Sequence, residues 1–180
     1  MDRPPTLPGS PRKPSRPDVA FARAAALALA LSAAPIATAA DSLLPPEQAF
    51  RFSARALDER TIEARFSVAD GYYLYRDKFG FTLEPLALKL GSPGLPPGKV
   101  KEDRFFGKVE TYRGDVVVAL PLVASAAGQP VVVVADSQGC ADLGVCYPVN
   151  RQKVTVTMPA PGKGPGPVVE ANPRKKSWFN

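Results

Sequence analysis

Ala49-Phe50-Arg51-Phe52-Ser53-Ala54-Arg55-Ala56-Leu57, the break Asp58-Glu59-Arg60, and then Thr61-Ile62-Glu63-Ala64-Arg65-Phe66-Ser67-Val68 form the stretch that decides the fold. Apolar and polar residues alternate on both sides of a short polar break. In an extended strand successive side chains point to opposite faces, so a period of two gives one apolar face and one wet face. Two such runs joined by a tight polar turn read as an antiparallel hairpin with one side buried.

The chain downstream continues in the same manner. Asp70-Gly71 marks the next turn and leads into the aromatic run Tyr72-Tyr73-Leu74-Tyr75. Phe79–Leu83 and Leu86–Leu90 are further short strands around Pro85, and Gly91–Gly98 is a loop by composition. Asp115–Leu122 is a valine-rich strand, and Ala124–Gly128 a turn. Pro130–Asp136 is apolar and β-branched and reads as a buried strand, while Lys153–Met158 alternates and reads as the last one. No stretch sustains a helical period. About eight short strands over roughly 120 residues predict an all-β fold, an immunoglobulin-like antiparallel β-sandwich.

Charge placement excludes one class of partner. The chain of 180 residues has a formal net charge of +6, but residues 1–40 and 160–180 each hold +3 and residues 41–159 are neutral. A nucleic-acid footprint on the folded part is therefore not expected. Residues 1–40 read as a signal peptide: a basic stretch with Arg12, Lys13, Arg16 and Arg23, an apolar core Ala24–Ala34, and the small-x-small pattern Ala37-Thr38-Ala39. That core is well short of the roughly 20 residues a spanning helix needs. Export to the periplasm is the expectation, with a folded domain over 41–159. Residues 160–180, rich in Pro, Gly and Lys, are expected to be a disordered tail.

Both cysteines of the chain lie in Gly139-Cys140-Ala141-Asp142-Leu143-Gly144-Val145-Cys146-Tyr147-Pro148. A disulfide closing a ring of roughly seven residues removes loop entropy worth only about 2–2.5 kcal/mol, against nearer 5 for about a hundred residues. It is a weak staple, and the loop, expected at the surface, has glycines that let a partner's backbone approach. Two Cys without any His exclude a structural zinc site, and no cofactor or metal is expected. The missing histidine also closes the general-base route of cysteine hydrolases. Spacing leaves two readings open, an inert disulfide and a redox-active pair. A second stretch, Lys101-Glu102-Asp103-Arg104-Phe105-Phe106-Gly107-Lys108, sets two adjacent aromatics in a charged loop. One of them is expected to cover something, and an exposed disulfide is the candidate.

Three runs occur in order: Asp70–Arg76, Glu102-Asp103-Arg104-Phe105-Phe106-Gly107, and the cysteine stretch with its trailing Tyr147-Pro148. Together they resemble the N-terminal periplasmic domain of the DsbD-type thiol:disulfide interchange protein, over roughly Pro45–Met158. The resemblance implies a sandwich domain that passes electrons from a membrane-linked donor to periplasmic thioredoxin-fold acceptors of disulfide isomerase or cytochrome c maturation type. It implies that Cys146 forms the mixed disulfide and Cys140 resolves it. It further implies that Phe105, with Phe106 beside it, belongs to a cap loop shielding the pair, and that Tyr73, Tyr75 and Asp103 line the site. One departure stands out: the best-known members have a second acid after that Asp, and here the residue is Arg104. The membrane and thioredoxin domains of the full-length family protein are not in this sequence, so a separate membrane donor is expected, with the domain itself a monomer. Beside the redox carrier stand two alternatives, a non-catalytic exported binding module and a structural sandwich with an inert disulfide.

Overall fold

The alternating hairpin forms as its period predicts. In the computed structural model, which describes residues 43–173, β1 (Phe50–Ala56) pairs antiparallel with β2 (Thr61–Val68), Phe52 opposite Phe66 and Ala54 opposite Ala64. Phe50, Phe52, Ala54 and Ala56 are buried from β1, and Ile62, Ala64, Phe66 and Val68 from β2. β7 (Asp115–Pro121) adds to the other edge of β2 and buries Val116, Val118 and Leu120 by the same alternation. A second sheet, in the order β10-β8-β4, is built from β4 (Gly80–Glu84), β8 (Pro130–Ser137) and β10 (Asn150–Thr157). Its valines Val131, Val133, Val154 and Val156 join Phe52, Phe66 and Val118 in one buried cluster. Each such side chain taken from water contributes about 1.5–3 kcal/mol, which is what holds the layers together. All the pairings are antiparallel, so the fold is the immunoglobulin-like sandwich expected from the sequence.

A third sheet positions the site. Its order is β5-β6-β3-β9, with β3 at Tyr72–Tyr75, β5 at Lys99–Asp103, β6 at Gly107–Tyr112 and β9 at Gly139–Ala141. β3 is buried at every position, because its two faces serve two clusters. Tyr72 and Leu74 point into the main core, whereas Tyr73 and Tyr75 form a separate small cluster with Cys140.

Three expectations need correction. Leu86–Leu90 does not form a strand: Pro85 offers no N–H, the Leu88 amide closes a turn on the Pro85 carbonyl at 3.0 Å, and only Leu90 makes a bridge, to Leu122. The charged run Lys101–Lys108 is not a plain loop but the β5–β6 hairpin with its tip at Arg104–Phe106. Its strands are half-exposed and carry mostly polar side chains, so no apolar period announces them. Residues 160–180, expected to be disordered, are ordered in part: β11 (Val169–Glu170) pairs with β1, and the Gly166 and Ala171 amides donate to the Ala56 and Phe52 carbonyls. The open edge of β1 offers backbone groups to any extended segment, and composition does not register such an edge. The expected signal peptide and residues 174–180 lie outside the described residues.

Candidate redox site

The cysteine loop folds back on itself. Cys140 lies on β9 opposite Cys146, with Cα atoms 4.0 Å apart and a disulfide between them. Backbone bonds from Ala141 to Val145 O and from Tyr147 to Gly139 O close the ring on either side. Gly139 lets β9 approach β3: a Cβ there would overlap the Tyr73 carbonyl oxygen and lie 2.9 Å from the Phe50 ring. Tyr147 anchors the far end, its ring edge-on to Phe50 at 5.5 Å and its hydroxyl donating to Leu44 O at 2.7 Å. The expectation of two exposed cysteines is half right. Cys140 is fully buried, and Cys146 is only partly buried.

Beneath the disulfide runs a polar network centred on Asp103, which is 5% exposed. Its Oδ2 accepts from the Tyr73 and Tyr75 hydroxyls, both at 2.9 Å. Its Oδ1 accepts from the amides of Phe105 at 2.8 Å and Phe106 at 3.2 Å, which shapes the hairpin tip. Burial alone would raise this carboxyl, but the bonds from Phe105, Tyr75, Tyr73 and Phe106 outweigh it and hold the group below its ordinary value. Asp103 therefore stays ionised. Tyr75 is shifted the other way, upward, by burial and by its bonds to Tyr73 and Asp103, so its phenol stays protonated. That hydroxyl lies 3.1 Å from Cys140 Sγ and 3.9 Å from Cys146 Sγ. With its single proton given to Asp103, the oxygen turns lone pairs toward the sulfurs.

The tip and the cysteine loop meet across an open cleft of about 230 Å³ lined by Tyr73, Lys101, Asp103, Arg104, Phe105 and Asp142. Phe106 stands edge-on to Tyr75 at 5.1 Å, and Phe105 is 56% exposed with the Arg104 guanidinium 4.6 Å from its ring. Arg104 also donates to the Gly144 carbonyl in the cysteine loop. Lys101 Nζ sits 3.5 Å over the Tyr73 ring. Arg113 grips Asp142 through two bonds, at 2.9 and 2.5 Å, and its hydrogen bond and charge hold that carboxyl below its ordinary value.

The family profile described as "Thiol:disulfide interchange protein DsbD, N-terminal" matches residues 40–158. The chain belongs to this family. A DsbD from Ralstonia nicotianae is 46% identical over 144 residues, covering 77% of this chain and 23% of the relative. DsbD 1 of Pseudomonas aeruginosa is 39% identical over 130 residues, covering 68% and 22%. The chain thus spans less than a quarter of the length of these curated relatives. Among solved structures, the reduced DsbD N-terminal domain of Neisseria meningitidis superimposes with a TM-score of 0.62 at 35% identity, covering 72% of this chain and 96% of that one. The complex between the DsbD N-terminal and PilB N-terminal domains of the same organism matches at 39% identity and a TM-score of 0.54, covering 64% and 88%.

Tyr73, Tyr75, Asp103, Cys140 and Cys146 are brought together in one place. The ring resting on Tyr75 is that of Phe106, while Phe105 is tied to Arg104. Sequence reasoning passed over Lys101, Arg113, Asp142 and Gly144. Lone charges in polar loops carry no signal until the loops meet. Lys101, Asp142 and Gly144 stand within the stretches quoted from the sequence, but nothing there pointed to their contacts.

Proposed function

We propose that this domain is a periplasmic thiol:disulfide interchange module that passes electron pairs through Cys140–Cys146 to thioredoxin-fold partners, acting as a protein-disulfide reductase. The observation that carries the reading is the disulfide itself, with Cys146 partly exposed and Cys140 buried against Tyr75 over an ionised Asp103. An inert staple has no use for that arrangement. The PilB complex of a relative supports a protein partner of this kind. An exported location agrees with disulfide chemistry.

Cys146, the less buried of the two cysteines, is the one a donor reaches first. A donor thiolate attacks Cys146 Sγ in line, the Cys140–Cys146 bond breaks, and the electron pair leaves on Cys140 Sγ, which takes a proton. A second donor thiolate then displaces Cys146, so the donor leaves as a disulfide and the pair as two thiols. In the other half-reaction Cys146 thiolate attacks an acceptor disulfide, and Cys140 attacks Cys146 Sγ to release the acceptor as a dithiol. Between the two halves the reduced Cys140 faces a hydrogen-bond acceptor and a buried carboxylate, both of which favour S–H over the thiolate. The dithiol is thereby kept quiet until a partner rearranges the network.

Cys140→Ser is expected to accumulate a mixed disulfide between Cys146 and a thioredoxin-fold partner, since no thiol remains to resolve it. Cys146→Ser is expected to trap little. Non-reducing electrophoresis after mixing with oxidised partner checks this, and equal trapping by neither variant would remove the reading.

A further inference from the structure

The family match ends at residue 158, yet the chain beyond it returns to the sandwich and runs along the free edge of β1 from Ala56 to Phe52. The Gly166 amide donates to Ala56 O at 2.8 Å, Val169 stands opposite Ala54, and the Ala171 amide donates to Phe52 O at 2.9 Å. Val169 and Ala171 are half-buried against the main core. Asn172 Nδ2 reaches Gln152 Oε1 on β10 at 3.4 Å, so the segment also closes the seam between β1 and the second sheet. At its start Gly164 is held at φ +147°, and a Cβ there would overlap the Leu57 carbonyl oxygen. The outer side of this segment is unlike the edge it covers. Pro165, Pro167 and Pro173 offer no N–H, Glu170 is exposed and charged, and β11 is only two residues long. Short length, proline and charge are what stop a sheet from growing at its edge.

We propose that residues 164–172 are an edge guard: they occupy a strand-pairing surface on β1 whose other occupant is a second copy of this chain, and so keep the domain single. The inference stands apart from the thiol–disulfide reading of the site. In antiparallel pairing the N–H and C=O of one residue point to the same side. Phe52, Ala54 and Ala56 therefore face the guard, while Ser53 and Arg55 face β2. That edge is self-complementary. Two copies of β1 related by a two-fold axis at Ala54 set Phe52 opposite Ala56 and Ala54 opposite its own copy, each with an N–H and a C=O to exchange. On the outer face Arg55 then falls opposite Ser53, so no like charges meet, and β1 holds no proline. Uncovered, the edge accepts a second β1 in a closed pair, just as it now accepts residues 166–171.

Two substitutions in the full chain unseat the guard without touching β1. Gly164→Ala forces a Cβ into the Leu57 carbonyl, and Ala171→Pro removes the N–H that donates to Phe52 O. Hydrogen exchange read amide by amide, with sedimentation velocity across the roughly micromolar to millimolar range in which open strand edges associate, tests the proposal. Wild type is expected to stay a monomer, with the amides of Phe52 to Ala56 all protected. In the double variant at low concentration the Phe52, Ala54 and Ala56 amides should exchange at least about tenfold faster, while Ser53 and Arg55, bonded to β2, stay as they were. On raising the concentration a dimer should form, and protection should return to the same alternate amides. Val168→Thr, on the exposed outer side of the guard, should behave as wild type. Unchanged exchange at Phe52, Ala54 and Ala56 would overturn the proposal, since the segment would then not hold the edge. So would fast exchange at those amides with no association, because a second copy would not be the other occupant, and so would oligomers larger than a dimer. Acceleration of Ser53 and Arg55 along with the others, at a lowered denaturant midpoint, would reduce the segment to packing and end the proposal. Should both substitutions together prevent folding, each alone gives the same alternating pattern or refutes it.

Discussion

The carboxylate of Asp103 accepts four hydrogen bonds, two from the backbone of the tip and two from tyrosines. Its folded value is depressed, so it contributes stability above the ordinary carboxylate range near about pH 4. That contribution is lost as pH falls through the lower folded value. Asp103→Asn is expected to cost about 1–3 kcal/mol at neutral pH, because an amide nitrogen facing two hydroxyls leaves donors without acceptors. Wild type and variant should converge as the pH drops below the carboxylate range, which urea melts across pH 2–7 would reveal. The substitution also frees the Tyr75 proton to turn toward Cys140, so the reduced pair should alkylate at lower pH than wild type. The sequence pointed to Asp103 only through the family resemblance. Its four donors come from β3 and the hairpin tip, and no spacing rule brings Asp103 and Tyr73 together.

At the level of elements, what the sequence made legible was whatever buries one face at a time. β1, β2 and β7 alternate cleanly, and their boundaries follow from it to within a residue, whereas β10 begins at Asn150, ahead of the Lys153 start that the sequence suggested. β3, buried on both faces, and β9, three residues long, give no period to read. The β5–β6 hairpin was hidden for the reverse reason, since it buries too little. β9 owes its place to Gly139, whose lack of a side chain permits pairing with β3 against Phe50. Gly139→Ala is expected to destabilise the protein by about 1–3 kcal/mol, the usual range for forcing atoms into a packed site. It should also move Cys140 relative to Tyr75 and change the reduction potential, whereas an alanine at Gly94, where the nearest atom to a Cβ would be 3.5 Å away and no positive φ is needed, should leave the potential alone. An unaltered potential in Gly139→Ala would mean that β9 adjusts without disturbing the sulfurs.

On the scale of the whole molecule, the sandwich was readable because most of its strands bury one face and expose the other, and the third sheet was not, because its strands bury both faces or very little. The apolar interior is divided in two: the large cluster between the first two sheets, which also takes in Tyr72 and Leu74 from β3, and the small one of Tyr73, Tyr75 and Cys140 with Val109 and Cys146 against it. Such a division gives a protein regions of unequal resistance to opening. Native-state hydrogen exchange should find the Phe105 and Phe106 amides, which depend on one carboxylate, exchanging through small fluctuations that low denaturant does not promote. Amides of β2 and β8 should instead exchange only by global unfolding and respond steeply to denaturant. A single shared opening energy would show that the third sheet unfolds with the rest. Where the two regions are separate, a substitution in the large cluster lowers the melting point and leaves the exchange chemistry intact, and one in the small cluster retunes the chemistry of a protein that melts as before.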